Sequence, residues 1–148
     1  MAPDVWFKKI PCNTTYGGAD CMARKILIAD DEVHIRILME KALEDLVEEL
    51  DIELLTASDG DGALTLIRRE TPQIVFLDIM MPHSDGFTVC QAVSQDPALR
   101  NTTIILLTAK GEESDHIRGA ACGARYYLTK PFDPDHVLAL ARKLLTSE

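Results

Sequence analysis

The chain has 148 residues, 47% hydrophobic and 26% charged, a balance that fits one globular domain with an ordinary core. Its formal net charge of −9 repels a phosphate backbone, which excludes non-specific nucleic-acid binding and leaves room for a site that holds a divalent cation. No apolar run approaches the roughly 18 residues needed to span a bilayer, so membrane insertion is excluded as well.

Residues 1–21 contain Pro3, Pro11, Gly17 and Gly18 with no clear period, and read as a flexible N-terminal tail or leader. Met22-Ala23-Arg24-Lys25 looks like a fresh start, so the folded unit is expected over residues 22–148. Val5-Trp6-Phe7 lacks the continuous apolar region of a signal peptide. The four cysteines, at 12, 21, 90 and 122, lack the paired short gaps of a zinc site and read as small reduced hydrophobes. A reducing compartment, the cytoplasm, is expected. His34, His83, His116 and His136 are scattered and read as surface residues rather than ligands.

From Lys25 onward, strand and helix patterns alternate. Lys25–Ala29 is a short β-rich run. Ile35, Leu38, Met39, Ala42, Leu43 and Leu46 then recur at helical spacing as one apolar stripe. Glu53–Ala57 reads as a second strand, and Ser58-Asp59-Gly60 as a turn into a helix carrying Ala63, Leu66 and Ile67, with Pro72 ending that region. Ile74–Leu77 is a continuous apolar strand of the kind buried on both faces of a parallel sheet. Asp85-Gly86 opens a helix with Phe87, Cys90 and Val93 inward, and Pro97 closes it. Thr103–Leu107 is a fourth strand, followed by a weakly apolar helix over Glu112–Ala121. Tyr126–Leu128 is a short fifth strand, and Asp133 caps a last helix with Val137, Leu140, Ala141, Leu144 and Leu145 inward. Five β–α pairs without a hairpin signal predict an α/β fold: a doubly wound, five-stranded parallel sheet of flavodoxin-like order 2-1-3-4-5, with helices on both faces.

The polar residues gain meaning on that frame. Asp30 and Asp31 follow strand one, Asp78 follows strand three, Thr108 ends strand four and Lys130 follows strand five. All lie at carboxyl ends of parallel strands, where open α/β folds bind ligands. With strands one and three adjacent, Asp30, Asp31 and Asp78 converge, although Asp31 is also a candidate helix cap. Crowded carboxylates repel unless a cation or protons neutralise them, and hard oxygen donors without His or Cys suit Mg²⁺ or Mn²⁺. Lys130 is two strands from Asp78, about 10 Å, a gap that its arm largely bridges. A carboxylate at Asp78 is positioned to attack a phosphoryl donor and form an acyl phosphate, with Lys130 and the Thr108 hydroxyl contacting the phosphoryl oxygens. Asp59 and Asp85, each before glycine, read as turn and cap residues only.

Four segments carry a resemblance: Ile28-Ala29-Asp30-Asp31-Glu32; Leu77-Asp78-Ile79-Met80-Met81-Pro82 running to Asp85-Gly86; Leu107-Thr108-Ala109; and Lys130-Pro131-Phe132. In this order and spacing they resemble bacterial two-component response regulator receivers, such as the chemotaxis response regulator, from about Arg24 to the C-terminus. The resemblance implies a phosphoprotein switch rather than an enzyme, in which Asp78 accepts phosphate from a sensor histidine kinase, a phosphotransfer protein or a small phosphodonor. It implies Mg²⁺ held directly by Asp31, Asp78 and the backbone carbonyl of Met80, with Asp30 assisting through water. Lys130 would pair with the phosphoryl group, the Lys130-Pro131 bond would be cis, and Thr108 with Tyr127 would form the switch pair. The surface that changes would comprise the helix over 112–121, strand five and the last helix, controlling a partner protein. Met80 and Lys110 occupy positions that tune acyl-phosphate lifetime in that family.

Alternatives from other classes are weighed against this. A phosphohydrolase resembling the haloacid dehalogenase family needs a second Asp two residues after the nucleophile, where this chain has Met80. A flavodoxin-like carrier needs a hydroxyl- and glycine-rich loop after strand one, where Asp30-Asp31-Glu32 would repel the flavin phosphate. A receiver-like scaffold that takes no phosphate would not require the acidic set together with Thr108 and Lys130. With no output domain read after the last helix, the chain is expected to act by binding another protein or to be one module of a longer one. It would act as a monomer or as a phosphorylation-dependent dimer.

Overall fold

Five short runs rich in Ile, Leu and Val set the frame of the computed structural model, which describes residues 24–81, 85–109, 123–130 and 132–146. Strands β1 (Lys25–Ala29), β2 (Glu53–Ala57), β3 (Ile74–Asp78), β4 (Thr103–Ala109) and β5 (Tyr126–Lys130) form one sheet in the order β2-β1-β3-β4-β5, with every adjacent pair parallel. The expected topology is therefore observed. Helices α1 (Val33–Leu50), α2 (Gly60–Glu70), α3 (Gly86–Ser94) and α4 (Pro134–Thr146) connect or follow the strands, and a 3₁₀ turn over Pro97–Leu99 leads into β4. The helix expected over 112–121 lies outside the described residues, as do the N-terminal tail, the Lys130-Pro131 bond, Lys110, His83, His116 and Cys12, Cys21 and Cys122.

Alternation along the strands divides the interior in two, because successive side chains of a strand point to opposite faces. Ile26, Ile28, Ile74, Phe76, Ile105, Leu107 and Leu128 face α1 and α4, meeting Met39, Leu43, Leu46, Val137 and Ala141. Leu27, Ala29, Val75, Leu77, Ile104 and Leu106 face α2 and α3, meeting Ala63, Ile67, Phe87, Cys90 and Val93. The three central strands are thus buried on both faces, the burial that their continuous apolar runs predict. Leu38 departs from its expected place. It lies exposed on the flank of the α1 seam, whose centre runs through Met39, Leu43 and Leu46.

Helix ends follow local chemistry. Asp59 accepts the N–H of Gly62 at 2.7 Å and Asp85 that of Thr88 at 2.8 Å, so both serve as the caps expected of them. At α1 the cap position falls to Glu32 rather than Asp31, and the Glu32 side chain makes no capping bond. Both α1 and α2 stop in left-handed residues, Asp51 (φ 56°) and Thr71 (φ 46°), whose N–H groups return to Val47 and Ile67 carbonyls. Helix α2 therefore ends ahead of Pro72. Among the described residues no helix is long and apolar enough to cross a membrane.

Candidate acidic phosphoacceptor site

At the carboxyl edge of the sheet the apolar strands end in polar residues. Register explains which of them meet. Ala29 pairs with Leu77, so Asp30 and Asp78 are the next residues along adjacent strands, and Asp78 itself pairs with Leu107. Lys130 pairs with Ala109, two residues further along. Asp30, Asp78 and Lys130 continue the series of residues that face α1 and α4, whereas Thr108 continues the other series. Both Asp78 and Lys130 are the last residues of their strands, rather than following them, and Thr108 is the penultimate residue of β4.

The side chains converge accordingly. One carboxylate oxygen from each of Asp30, Asp31 and Asp78 lies within 4.8 Å of the others. Lys130 Nζ sits 2.9 Å from Asp30 Oδ2 and 3.2 Å from Asp78 Oδ2, with Glu32 Oε1 at 3.8 Å. Asp30 is fully buried, Asp78 nearly so, and Asp31 is exposed. Lys130 Nζ thus meets Asp30 Oδ2 as a close ion pair, whereas the buried hydroxyl of Thr108 has no hydrogen-bond partner among the described residues. Asp30 Oδ1 accepts the N–H of Glu32 at 2.9 Å, and Asp78 Oδ1 accepts that of Met80 at 3.2 Å.

Burial and the neighbouring charge of Asp30 push the Asp78 carboxyl up to about 6, with Lys130 pulling the other way. Burial also works against the Lys130 ammonium, but contact with Asp30 and Asp78 outweighs it and holds its pKa above the usual lysine value. The centre therefore carries more negative charge than one lysine offsets. Its donors are all carboxylate oxygens, and among the described residues no His or Cys belongs to the cluster. That donor set fits a hard divalent cation.

The backbone that holds Asp78 is fixed from behind. Gly86 opens α3, its N–H donates to the Ile79 carbonyl at 2.8 Å, and a β-carbon there would lie 2.6 Å from the Asp78 carbonyl oxygen. Only glycine permits this approach. Met80, two residues after Asp78, is 76% exposed. Tyr127 is half-buried and packs against the core on the α2–α3 face, the same side of the sheet as Thr108. Two neighbours have no individual part in the sequence reading, where Glu32 enters only as the end of the acidic run after β1. Arg36 donates from Nη1 to the Asp30 carbonyl, and Glu32 approaches Lys130. The available signal was their place in the first turns after the acidic pair.

The description "Response regulator receiver domain" matches residues 26–142. A protein described as a probable transcriptional regulator, ycf27 of Guillardia theta, is 44% identical over 121 residues, covering 82% of this chain and 45% of that protein. Response regulator PleD of Caulobacter vibrioides is 40% identical over 124 residues, covering 83% of this chain and 26% of PleD. The chain thus spans about half or less of the length of these curated relatives. Among solved structures, the chemotaxis response regulator CheY4 of Vibrio cholerae superposes with a TM-score of 0.73 at 30% identity, covering 82% of this chain and 98% of CheY4. With its sheet order, its strand-end acids and these matches in agreement, the chain belongs to the response regulator receiver domain family of two-component signalling.

Proposed function

We propose that this chain is a phosphoryl-accepting switch in which Asp78 takes the phosphoryl group from a sensor histidine kinase, a phosphotransfer protein or a small phosphodonor. The observation that carries the reading is the Lys130 ammonium set between Asp30 and Asp78, at 2.9 and 3.2 Å, beside a third carboxylate from Asp31. Asp30, Asp31 and Asp78, with the Met80 carbonyl, would hold Mg²⁺, or Mn²⁺ in its place. When bound, the ion neutralises charge on the transferring phosphoryl oxygens.

The residues of the chain have distinct parts in this chemistry. A carboxylate oxygen of Asp78 attacks phosphorus in line, and the bond from phosphorus to the donor's leaving atom breaks as the acyl phosphate forms. Lys130 exchanges its contact with the Asp78 carboxylate for one with the phosphoryl group attached there. The Thr108 hydroxyl lacks a directed partner among the described residues, so it is free to donate to a phosphoryl oxygen. Tyr127 then follows inward on the same face. The change alters β5 and α4, together with the segment between β4 and β5, and controls a partner protein. Val33, Ile37, Leu38 and Met80 form exposed apolar surface on α1 and beside the acceptor, suited to a protein phosphodonor. A cytoplasmic location accords with that partner.

Incubation of the full chain with acetyl phosphate and Mg²⁺, followed by intact mass measurement, tests the reading. One phosphoryl adduct is expected, which does not form when Mg²⁺ is chelated beforehand and is absent in Asp78→Asn. An adduct retained in that variant would overturn the assignment.

A further inference from the structure

Glu32 occupies the N-cap position of α1 with extended backbone, yet its side chain makes no capping hydrogen bond. Glutamate is a poor cap, so the position is not explained by helix stability. Its backbone N–H instead donates to Asp30 Oδ1, which fixes Glu32 against the acidic pair. Its carboxylate leans toward Lys130, with Oε1 3.8 Å from Nζ.

Lys130 therefore meets three carboxylates at graded depth. The side chains of Asp30, Asp78 and Glu32 are 0%, 9% and 50% exposed. The two inner carboxylates also belong to the oxygen set suited to a divalent cation, and Glu32 does not. A cation and an ammonium cannot both lie against the same two buried oxygens without strong repulsion. The ammonium must then loosen its inner contacts, and among its described ion-pair partners Glu32 alone stays outside the cation's set.

We propose that Glu32 is a positioning residue that takes the Lys130 ammonium at the rim when a divalent cation occupies the inner carboxylates. The lysine is thereby kept beside Asp78, ready for the phosphoryl group, rather than released to solvent. This rests on the reading of Asp78 as a cation-assisted phosphoacceptor.

The test is a double-mutant cycle on Mg²⁺ affinity, measured by titration calorimetry on the full chain: unsubstituted, Glu32→Gln, Lys130→Met, and both together. Glu32→Gln is expected to weaken Mg²⁺ binding about two- to five-fold, the scale of an exposed ion pair. In the Lys130→Met background that weakening should vanish, because the two residues act through one contact. Lys130→Gln supplies a second background should the methionine variant fold poorly. Equal weakening with and without Lys130 would reveal a bare charge effect and overturn the proposal, as would an unchanged affinity in Glu32→Gln. If the unsubstituted chain bound no Mg²⁺, the phosphoacceptor reading would lose its cation and this proposal would fall with it. Tight binding with a silent Glu32 would remove the positioning role alone.

Discussion

At Asp78, folding pulls against the phosphoacceptor role proposed for it. Its carboxyl holds a proton more tightly in the fold than in the unfolded chain, where aspartate titrates at about 3.9, because burial and Asp30 raise it to about 6. A group raised in this way contributes stability that is complete below its unfolded pKa and is lost as pH rises through the folded one. In metal-free protein, Asp78→Asn should therefore unfold at a higher temperature than the unsubstituted chain at pH 7.5, and the gap should narrow toward pH 4. Thermal unfolding in chelator across that range would show it. A gap that is constant or widens in acid would mean that Lys130 already compensates the charge. Mg²⁺ has the opposite effect, since an ion that binds only the folded state stabilises it by mass action.

Among the elements, the start of α3 is packed tightly against the end of β3. Gly86 brings the start of α3 against the Asp78 and Ile79 backbone at distances that no β-carbon could tolerate. Gly86→Ala should cost about 1–3 kcal/mol, the usual range for overpacking, and should slow phosphorylation by acetyl phosphate because the acceptor backbone must shift. A variant with native stability and rate would show that α3 can move away freely. This constraint was only half legible in the sequence, where Asp85-Gly86 marked a helix start but not a close approach. The strands show the same division. Lys25–Ala29 and Glu53–Ala57 were read to the residue, because apolar and β-prone runs are bounded there by charge or turn chemistry. β3 and β5 were read short because Asp78, Thr129 and Lys130 break the apolar pattern at the strand end that carries the site. Pleat parity, which puts Lys130 rather than Thr108 on Asp78, needed the register. Glu32 and Arg36 needed side-chain geometry.

For the whole molecule, the two half-cores divide the labour. The α1–α4 face carries the acidic centre on its strand ends, and Glu49 pairs with Arg142 at 2.9 Å to join those two helices across their exposed sides. Thr108 and Tyr127 continue the other face of β4 and β5, so a phosphoryl group on Asp78 that draws in the Thr108 hydroxyl would carry the change to that side of the sheet. Hydrogen exchange should accordingly change in β4, β5 and α4 on phosphorylation and stay unaltered in β2, the far edge strand. Protection changes spread evenly over the sheet would contradict a switch confined to one edge.

The acyl phosphate is expected to form at Asp78. Trapping the phosphorylated chain with borohydride, which reduces an aspartyl phosphate to homoserine, and sequencing its peptides by tandem mass spectrometry locates the acceptor directly. Homoserine at position 78, dependent on Mg²⁺ and phosphodonor, is the predicted result; homoserine at Asp30 or Asp31, or at no aspartate, would contradict the account.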